Sequence, residues 1–195
     1  MHTETLPALF TLSHSPQLVA VAAAENFSQP RILQALATHA VRGERVGVIL
    51  GNNRLDVRGI ARLARQQRLD PRPLLARIDL SRAETCHQLA ECIATISIEQ
   101  QQNWRALYVV GLLETFYDET PAYHEARWLL QQTLLYLKTI VTDGLPVLIT
   151  LAAPPTAARA QFMHDVAHAV DVYWEAQAET PRLHAPRQVA LVWGD

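Results

Sequence analysis

The chain alternates short apolar runs with longer stretches in which apolar residues recur at helical spacing. Strands are predicted at residues 18–23, 45–50, 78–80, 106–110, 146–152, 170–176 and 188–193. Helices are predicted at residues 29–41, 56–67, 83–100, 123–142 and 157–168. This alternation favours an α/β fold with a mostly parallel sheet whose strands are covered on both faces. Because no helix separates the last two strands, we expect them to form an antiparallel hairpin at the sheet edge.

Length and composition indicate one α/β domain. The 195 residues are 49% hydrophobic and 18% charged, and no linker-like segment divides them. The formal net charge of −2 gives no sign of a strongly basic nucleic-acid-binding protein, although it allows a local basic patch. No apolar run approaches the ~20 residues of a membrane span, and the first ten residues lack a signal-peptide pattern. We therefore expect a cytoplasmic protein with no membrane partner.

Cysteine and histidine spacing does not predict a disulfide or a metal site. Cys86 and Cys92 lie six residues apart, which fits neither a disulfide framework nor a zinc motif, so reduced core cysteines are expected. Two groups could offer metal ligands: His124 with Glu125, and His164 with Asp165 and His168. The sequence supplies neither group with a further ligand or an HExxH motif, so exposed or partly buried histidines are the preferred interpretation.

The order of elements and several short motifs resemble the core of the RecA/RadA-type recombinase ATPases, in the P-loop NTPase superfamily. The matching motifs are Arg68-Leu69-Asp70-Pro71, Arg82-Ala83, His87-Gln88-Leu89, the run ALYVVGLLETFYDE with the later PVLIT, and VAHAVDVYW. The resemblance extends from Leu18 to the C-terminus and lacks an N-terminal DNA-binding domain. It implies a three-layer RecA-like fold and a setting in DNA recombination or repair.

In this sequence, the segment that aligns with the family's phosphate loop lacks the loop's defining residues. GxxxxGK[ST] uses glycines to turn backbone N–H groups toward phosphates, a lysine to neutralise them and a hydroxyl to bind Mg²⁺. The alignment puts Ala23 and Ser28 at the two glycines, Gln29 at the lysine and Pro30 at the hydroxyl. We expect the helix to begin near Ser28, its N-cap, with Glu25 and Gln29 facing the space that phosphates would fill.

Two further ATPase positions are also changed. Gly111 follows the strand that would carry the Walker B aspartate, and it has no carboxylate to hold Mg²⁺. Asn52 or Asn53 stands at the position of the catalytic glutamate, where an amide cannot accept a proton from water. Three separate losses predict a core without catalytic residues or a bound cofactor.

The two segments that match the family's DNA-contact loops are poor in positive charge. Residues 114–123 carry Glu114, Asp118 and Glu119 and no basic residue, which disfavours phosphate contact. Phe116 and Tyr117 in this segment could stack on bases or on a protein partner, with packing the preferred alternative. Residues 152–162 carry one charge, that of Arg159.

Basic residues concentrate instead on one predicted helix. Arg54, Arg58, Arg62 and Arg65 form a stripe at helical spacing, and Arg68 follows it. A solvated helix face is the preferred interpretation, and a stripe that binds phosphates or a partner is the alternative.

These observations leave three hypotheses about function. The first is a non-hydrolysing pseudo-ATPase that acts as a structural or regulatory partner of a recombinase or of its own copies. The second is a nucleic-acid-binding module that uses the arginine stripe. The third is a nonstandard enzyme at the ends of the parallel strands, with a cleft lined by Asn52, Asn53, Glu114 and Gln29.

Overall fold

The computed structural model describes residues 16–51, 55–56, 58–66, 68, 70–117, 121–176 and 181–184. The described strands are β1 (Leu18–Ala22), β2 (Arg45–Leu50), β3 (Ile78–Arg82), β4 (Trp104–Val110), β5 (Val147–Leu151), β6 (Val172–Ala176) and β7 (Pro181–His184). The described helices are α1 (Glu25–Val41), α2 (Arg58–Gln66), α3 (Pro71–Leu75), α4 (Cys86–Ala94), α5 (Ile98–Asn103), α6 (Tyr123–Thr142) and α7 (Gln161–Ala169). Elements therefore alternate as the apolar pattern predicts.

One sheet contains all seven described strands, in the order β3-β2-β4-β5-β1-β6-β7. Neighbours from β3 to β6 are parallel, and β7 pairs antiparallel with β6. The order differs from both the Rossmann order 3-2-1-4-5-6 and the flavodoxin-like order 2-1-3-4-5. The predicted strand at 188–193 lies outside the described residues, so its pairing with β6 stays a prediction.

Alternate residues of the central parallel strands β1, β2, β4 and β5 face two separate cores, which makes the fold three-layered. In β1, Leu18 and Ala20 belong to one core, and Val19 and Val21 belong to the other. The first core includes buried residues of α4, α6 and α7, whereas the second includes those of α1 and α2. Strands buried on both faces explain why their sequences are almost continuously apolar. The predicted α/β class with helices on both faces is confirmed.

The helix predicted at 83–100 is wrong, because two helices and a turn occupy that segment. α4 ends at Ala94, and α5 starts at Ile98 after a new N-cap, Ser97. Ser97 and Gln100 form a reciprocal capping box, which satisfies N–H groups at the start of α5. The continuous apolar pattern conceals this break.

No helix among the described residues is both long and apolar enough to cross a membrane.

Candidate functional site

The ends of the parallel strands bring the sequence-predicted site residues to one edge of the sheet, here called the carboxyl edge. Ala23 follows β1, Gly51 follows β2, and Gly111 follows β4. In open α/β sheets, ligands bind at this edge. A ligand site of this protein is therefore expected at the carboxyl edge, and the local structure there determines which ligands fit.

The connection between β1 and α1 is too short to form a phosphate loop. β1 ends at Ala22 and α1 begins at Glu25, so only Ala23 and Ala24 connect them. The expected helix start near Ser28 is wrong, since Ala24 is the N-cap and Ser28 lies inside α1. The alignment gives the loop six residues from first to second glycine, 23–28, and the last four are already helical.

Two N–H groups at this connection and in the helix that follows it already have partners in the fold. The Ala23 N–H donates to the Leu151 carbonyl at 3.1 Å, and the Ser28 N–H donates to the Ala24 carbonyl at 3.2 Å. The Ser28 hydroxyl is buried and lies 3.5 Å from the same Ala24 oxygen. A loop that cradles phosphate needs several converging N–H groups, and these two already have partners.

An aromatic stack fastens the first turn of α1 to β6. The Phe27 ring lies against the Trp174 ring, with centroids 5.1 Å apart and planes at 20°. The Arg31 guanidinium lies over the Phe27 ring, with its central carbon 3.6 Å from the ring centroid. Arg31 Nη1 also donates to the Phe27 carbonyl at 2.7 Å. The helix start is therefore held by stacking and a charged hydrogen bond, without a side-chain cap at Ala24.

The ends of β2 and β4 stay in close contact beyond both strands. The Gly51 N–H donates to the Val110 carbonyl at 2.8 Å. A Cβ at residue 51 would lie only 2.3 Å from the Gly111 carbonyl oxygen, so glycine permits this approach. Asn52 and Asn53, one of which the resemblance aligns with the catalytic glutamate, lie outside the described residues.

At Gly111, the residue that the resemblance aligns with the Walker B aspartate, the chain turns into the core. Gly111 has φ +76°, and its N–H donates to the buried Thr150 hydroxyl at 2.9 Å. The next two residues, Leu112 and Leu113, are fully buried. A metal-binding carboxylate at residue 111 would need both the left-handed backbone and an apolar setting, and each disfavours it.

Phe116 and Tyr117 do not form an exposed stacking surface. Phe116 is fully buried, which contradicts its prediction as a nucleic-acid or partner contact. Its ring packs at a steep angle against that of Phe162, with centroids 6.4 Å apart. Tyr117 is half-buried and its hydroxyl donates to the Ala152 carbonyl at 2.9 Å. Burial, with the nearby charge of Glu114, raises the pKa of Tyr117 above its usual range. Packing, the preferred alternative, accounts for both rings.

An open cavity of about 470 Å³ lies between α6 and the segment after β5. Its described lining residues are Tyr123, Thr156, Ala158 and Arg159. The Tyr123 ring stacks on that of Phe162, and the buried Arg159 guanidinium lies 5.8 Å from the Tyr123 centroid. Neither Gln29 nor Glu114 belongs to this described lining, so the cavity does not match the predicted enzyme cleft.

A thiol, an imidazole and a carboxylate meet where α4 and α6 begin, an arrangement that the sequence analysis missed. His87 Nδ1 lies 3.6 Å from the Cys86 sulfur, and His87 Nε2 lies 3.2 Å from Glu125 Oε1. The order resembles that of a nucleophile, its base and an orienting carboxylate. Cys86 is only 1% exposed, however, and buried structural cysteines are chemically inert. Adjacent Cys and His residues were a visible signal, but their partner is 38 positions away.

The predicted histidine groups do not assemble into a metal site in the described part of the chain. No group of three or more His, Cys, Asp or Glu residues there could hold an ion. Asp165 instead accepts two hydrogen bonds from Arg127, at 2.8 and 3.0 Å. These bonds lower the pKa of Asp165, and the bond from Gln161 adds to the effect although partial burial opposes it. His164 and His168 are exposed on α7.

The arginine stripe is exposed where the structure describes it. Arg58, Arg62 and Arg65 project to solvent from α2, whereas Arg54 lies outside the described residues.

Neither the family models nor the curated proteins with which the sequence was compared give a match. The resemblance to the RecA/RadA-type core is thus an interpretation of element order and short motifs, and the architecture is that of a three-layer α/β protein.

Proposed function

We propose that this protein is a non-hydrolysing, RecA/RadA-like pseudo-ATPase. It acts as a structural or regulatory partner in DNA recombination or repair, through contact with a recombinase or with its own copies. The proposal combines the sequence resemblance with the local structure at the carboxyl edge.

The two-residue connection between β1 and α1 is the observation that carries the proposal. Substitution alone could leave a phosphate loop with weakened binding, but here α1 occupies most of the aligned loop. The Phe27–Trp174 stack holds that helix start in place. Gly111, which the resemblance aligns with the Walker B aspartate, has no carboxylate for Mg²⁺ and has a left-handed backbone, and this supports the proposed loss of the second half of the ATPase site.

Calorimetric titration with Mg-ATP tests the loss of nucleotide binding. We expect no heat of binding at micromolar protein and no phosphate release above the buffer rate. The same titration with Mg-ADP and Mg-GTP controls for a changed base or phosphate preference. Saturable binding of any of these nucleotides together with turnover would refute the proposal.

The partner role requires a separate measurement. We expect the purified protein to bind the recombinase of its own host, or itself, and to change DNA strand exchange by that recombinase without added ATPase activity. A variant with three exposed α6 side chains replaced, Trp128→Ser/Leu135→Ser/Tyr136→Ser, tests whether the outer face of α6 is involved. If the protein binds neither the recombinase nor itself and strand exchange is unchanged, the partner role is excluded.

The enzyme hypothesis has less support at this edge. Of its proposed cleft residues, the two that the structure describes, Gln29 and Glu114, are not among the described residues that line the 470 Å³ cavity. We therefore favour the pseudo-ATPase hypothesis.

A further inference from the structure

Positive charge is concentrated in one short part of a chain that is acidic overall. Residues 54–77 contain seven arginines and two aspartates, whereas the rest of the chain contains ten basic and seventeen acidic residues. The segment therefore has a formal charge of +5 and the remainder −7. Such asymmetry within a small domain is typical of a surface that meets an anionic partner.

The fold turns these arginines outward. α2 buries Ile60 and Ala64 against the second core and the adjoining helices, which directs the other side of the helix to solvent. Five arginines in this region are exposed: Arg58, Arg62, Arg65, Arg68 and Arg72. We call these five the arginine face. With a helical rise of about 1.5 Å per residue, its first three members extend over roughly 10 Å of α2.

Few carboxylates neutralise the arginine face. Asp56 pairs with Arg62 at 2.7 Å, and Asp70 caps α3 by accepting from the Arg72 backbone N–H at 3.0 Å. Among the described residues, no carboxylate forms an ion pair with the Arg58, Arg65 or Arg68 side chains. The guanidinium groups of Arg58, Arg65 and Arg68 are thus exposed positive charges that no described carboxylate neutralises.

The composition of the face selects among anionic partners. Guanidinium groups bind both phosphate and carboxylate through paired, parallel hydrogen bonds, so the other residues of the face have to distinguish the partner. Residues 54–77 contain no aromatic side chain that could stack on a base. The large exposed apolar side chains of the described chain all lie outside residues 58–72, so the described residues of the face include no apolar anchor of the kind on which protein interfaces centre.

We propose that the arginine face binds the phosphate backbone of a nucleic acid without reading its base sequence. The inference rests on charge and exposure at α2 and α3, and it is independent of the nucleotide site. Failure of the pseudo-ATPase proposal would leave it standing.

Fluorescence anisotropy with a labelled 30-base-pair DNA duplex, at several salt concentrations, tests the proposal. For B-DNA the slope of log K against log salt is about −0.9 per neutralised phosphate, so contact by four or five arginines gives roughly −4. We expect equal affinity for duplexes of different sequence. No binding at low salt, or a slope near zero, would overturn the proposal.

Charge reversal locates the contact. Arg58→Glu/Arg65→Glu changes two members that form no ion pair, so it removes no native bridge, and we expect at least a tenfold loss of affinity with a slope smaller by about two. The single variant Arg65→Glu is also measured, and Lys138→Glu on α6 is its control. Both exposed residues undergo the same change of charge. Circular dichroism melting verifies that each variant is folded. Equal losses for Arg65→Glu and Lys138→Glu would mean that net charge, not this face, controls binding.

Competition separates a nucleic acid from an acidic protein. Unlabelled duplex should displace the labelled duplex, and poly-glutamate at the same charge concentration should displace it at least tenfold less effectively. Equal or better displacement by poly-glutamate would overturn the proposal in favour of an acidic protein partner.

Discussion

The ring of Phe27, in the first turn of α1, stacks on the ring of Trp174, in β6. The contact joins residues that are far apart in the chain and lies beside the two-residue connection after β1. Trp174 is 3% exposed, so the stack belongs to the second core. It stabilises a helix start that has no side-chain cap.

Phe27→Ala should destabilise the fold by about 2–3 kcal/mol, because it removes a large packed ring and the stacking on Trp174. Phe27→Leu keeps much of the apolar volume and should have about half that effect. Urea denaturation monitored by tryptophan fluorescence measures both. Nucleotide binding should stay absent in Phe27→Ala, since the β1–α1 connection remains two residues long. A folded Phe27→Ala protein that binds Mg-ATP would show that the stack, and not the missing loop, excludes nucleotide.

The start of α1 marks the limit of what the local sequence predicts. Ser28 followed by Gln29 and Pro30 has the pattern of a helix start, and that prediction is four residues too late. The deciding contact comes from Trp174, which no local pattern connects with Phe27. β1, β2, β4 and β5, by contrast, are predictable because their apolar runs are buried on both faces. β7 occupies a segment where the apolar pattern predicts no strand. α6 is predictable at both ends, since its apolar residues keep helical spacing and the helix ends at Asp143-Gly144.

The site was less predictable than the fold, because its properties depend on contacts between distant segments. The sequence shows that Gly111 has no carboxylate, but the hydrogen bond from its N–H to Thr150 depends on β5. The local sequence allows Phe116 a surface contact, whereas the structure buries its ring against Phe162. His87 meets Glu125 only because α4 and α6 start at the same edge.

Gly51→Ala should destabilise the protein by more than about 2 kcal/mol, since the new methyl group would overlap the Gly111 carbonyl and force β2 and β4 apart. Gly43→Ala is the matched control. Gly43 has open space around it, but its φ of +83° disfavours alanine, so we expect about 1 kcal/mol. Chemical denaturation of both variants distinguishes the steric effect from the backbone effect. Equal losses would argue against a close approach at Gly51.

Tyr108→Phe should destabilise the protein by about 1–3 kcal/mol, because it leaves a buried ring nitrogen of His39 without its hydrogen-bond partner. His39 Nε2 lies 2.9 Å from the Tyr108 hydroxyl, and its Nδ1 lies 2.6 Å from Glu44. Burial raises the pKa of Tyr108 far above its usual range, so the hydroxyl keeps its proton at neutral pH.

The control for this substitution is Tyr136→Phe, which removes a hydroxyl from a 49% exposed tyrosine and should change stability by less than about 0.5 kcal/mol. A double-mutant cycle with His39→Leu should give a coupling energy of about 1 kcal/mol. Additive effects of the two substitutions would contradict a direct bond.

Asp165→Asn should destabilise the protein by about 1 kcal/mol at neutral pH, a small loss because Arg127 is exposed. The variant should also lose less stability than the unmodified protein as the pH falls. Hydrogen bonds from Arg127 lower the folded-state pKa of Asp165 below the unfolded value of about 3.9. A lowered pKa stabilises the fold above the unfolded value, and that contribution disappears as pH falls through the folded value. Urea denaturation between about pH 7 and pH 2.5 measures the difference. Glu91→Gln, on an exposed side chain without an ion pair among the described residues, should leave the stability profile unchanged. If Asp165→Asn loses stability with acid as steeply as the unmodified protein, the Arg127–Asp165 pair does not contribute to acid sensitivity.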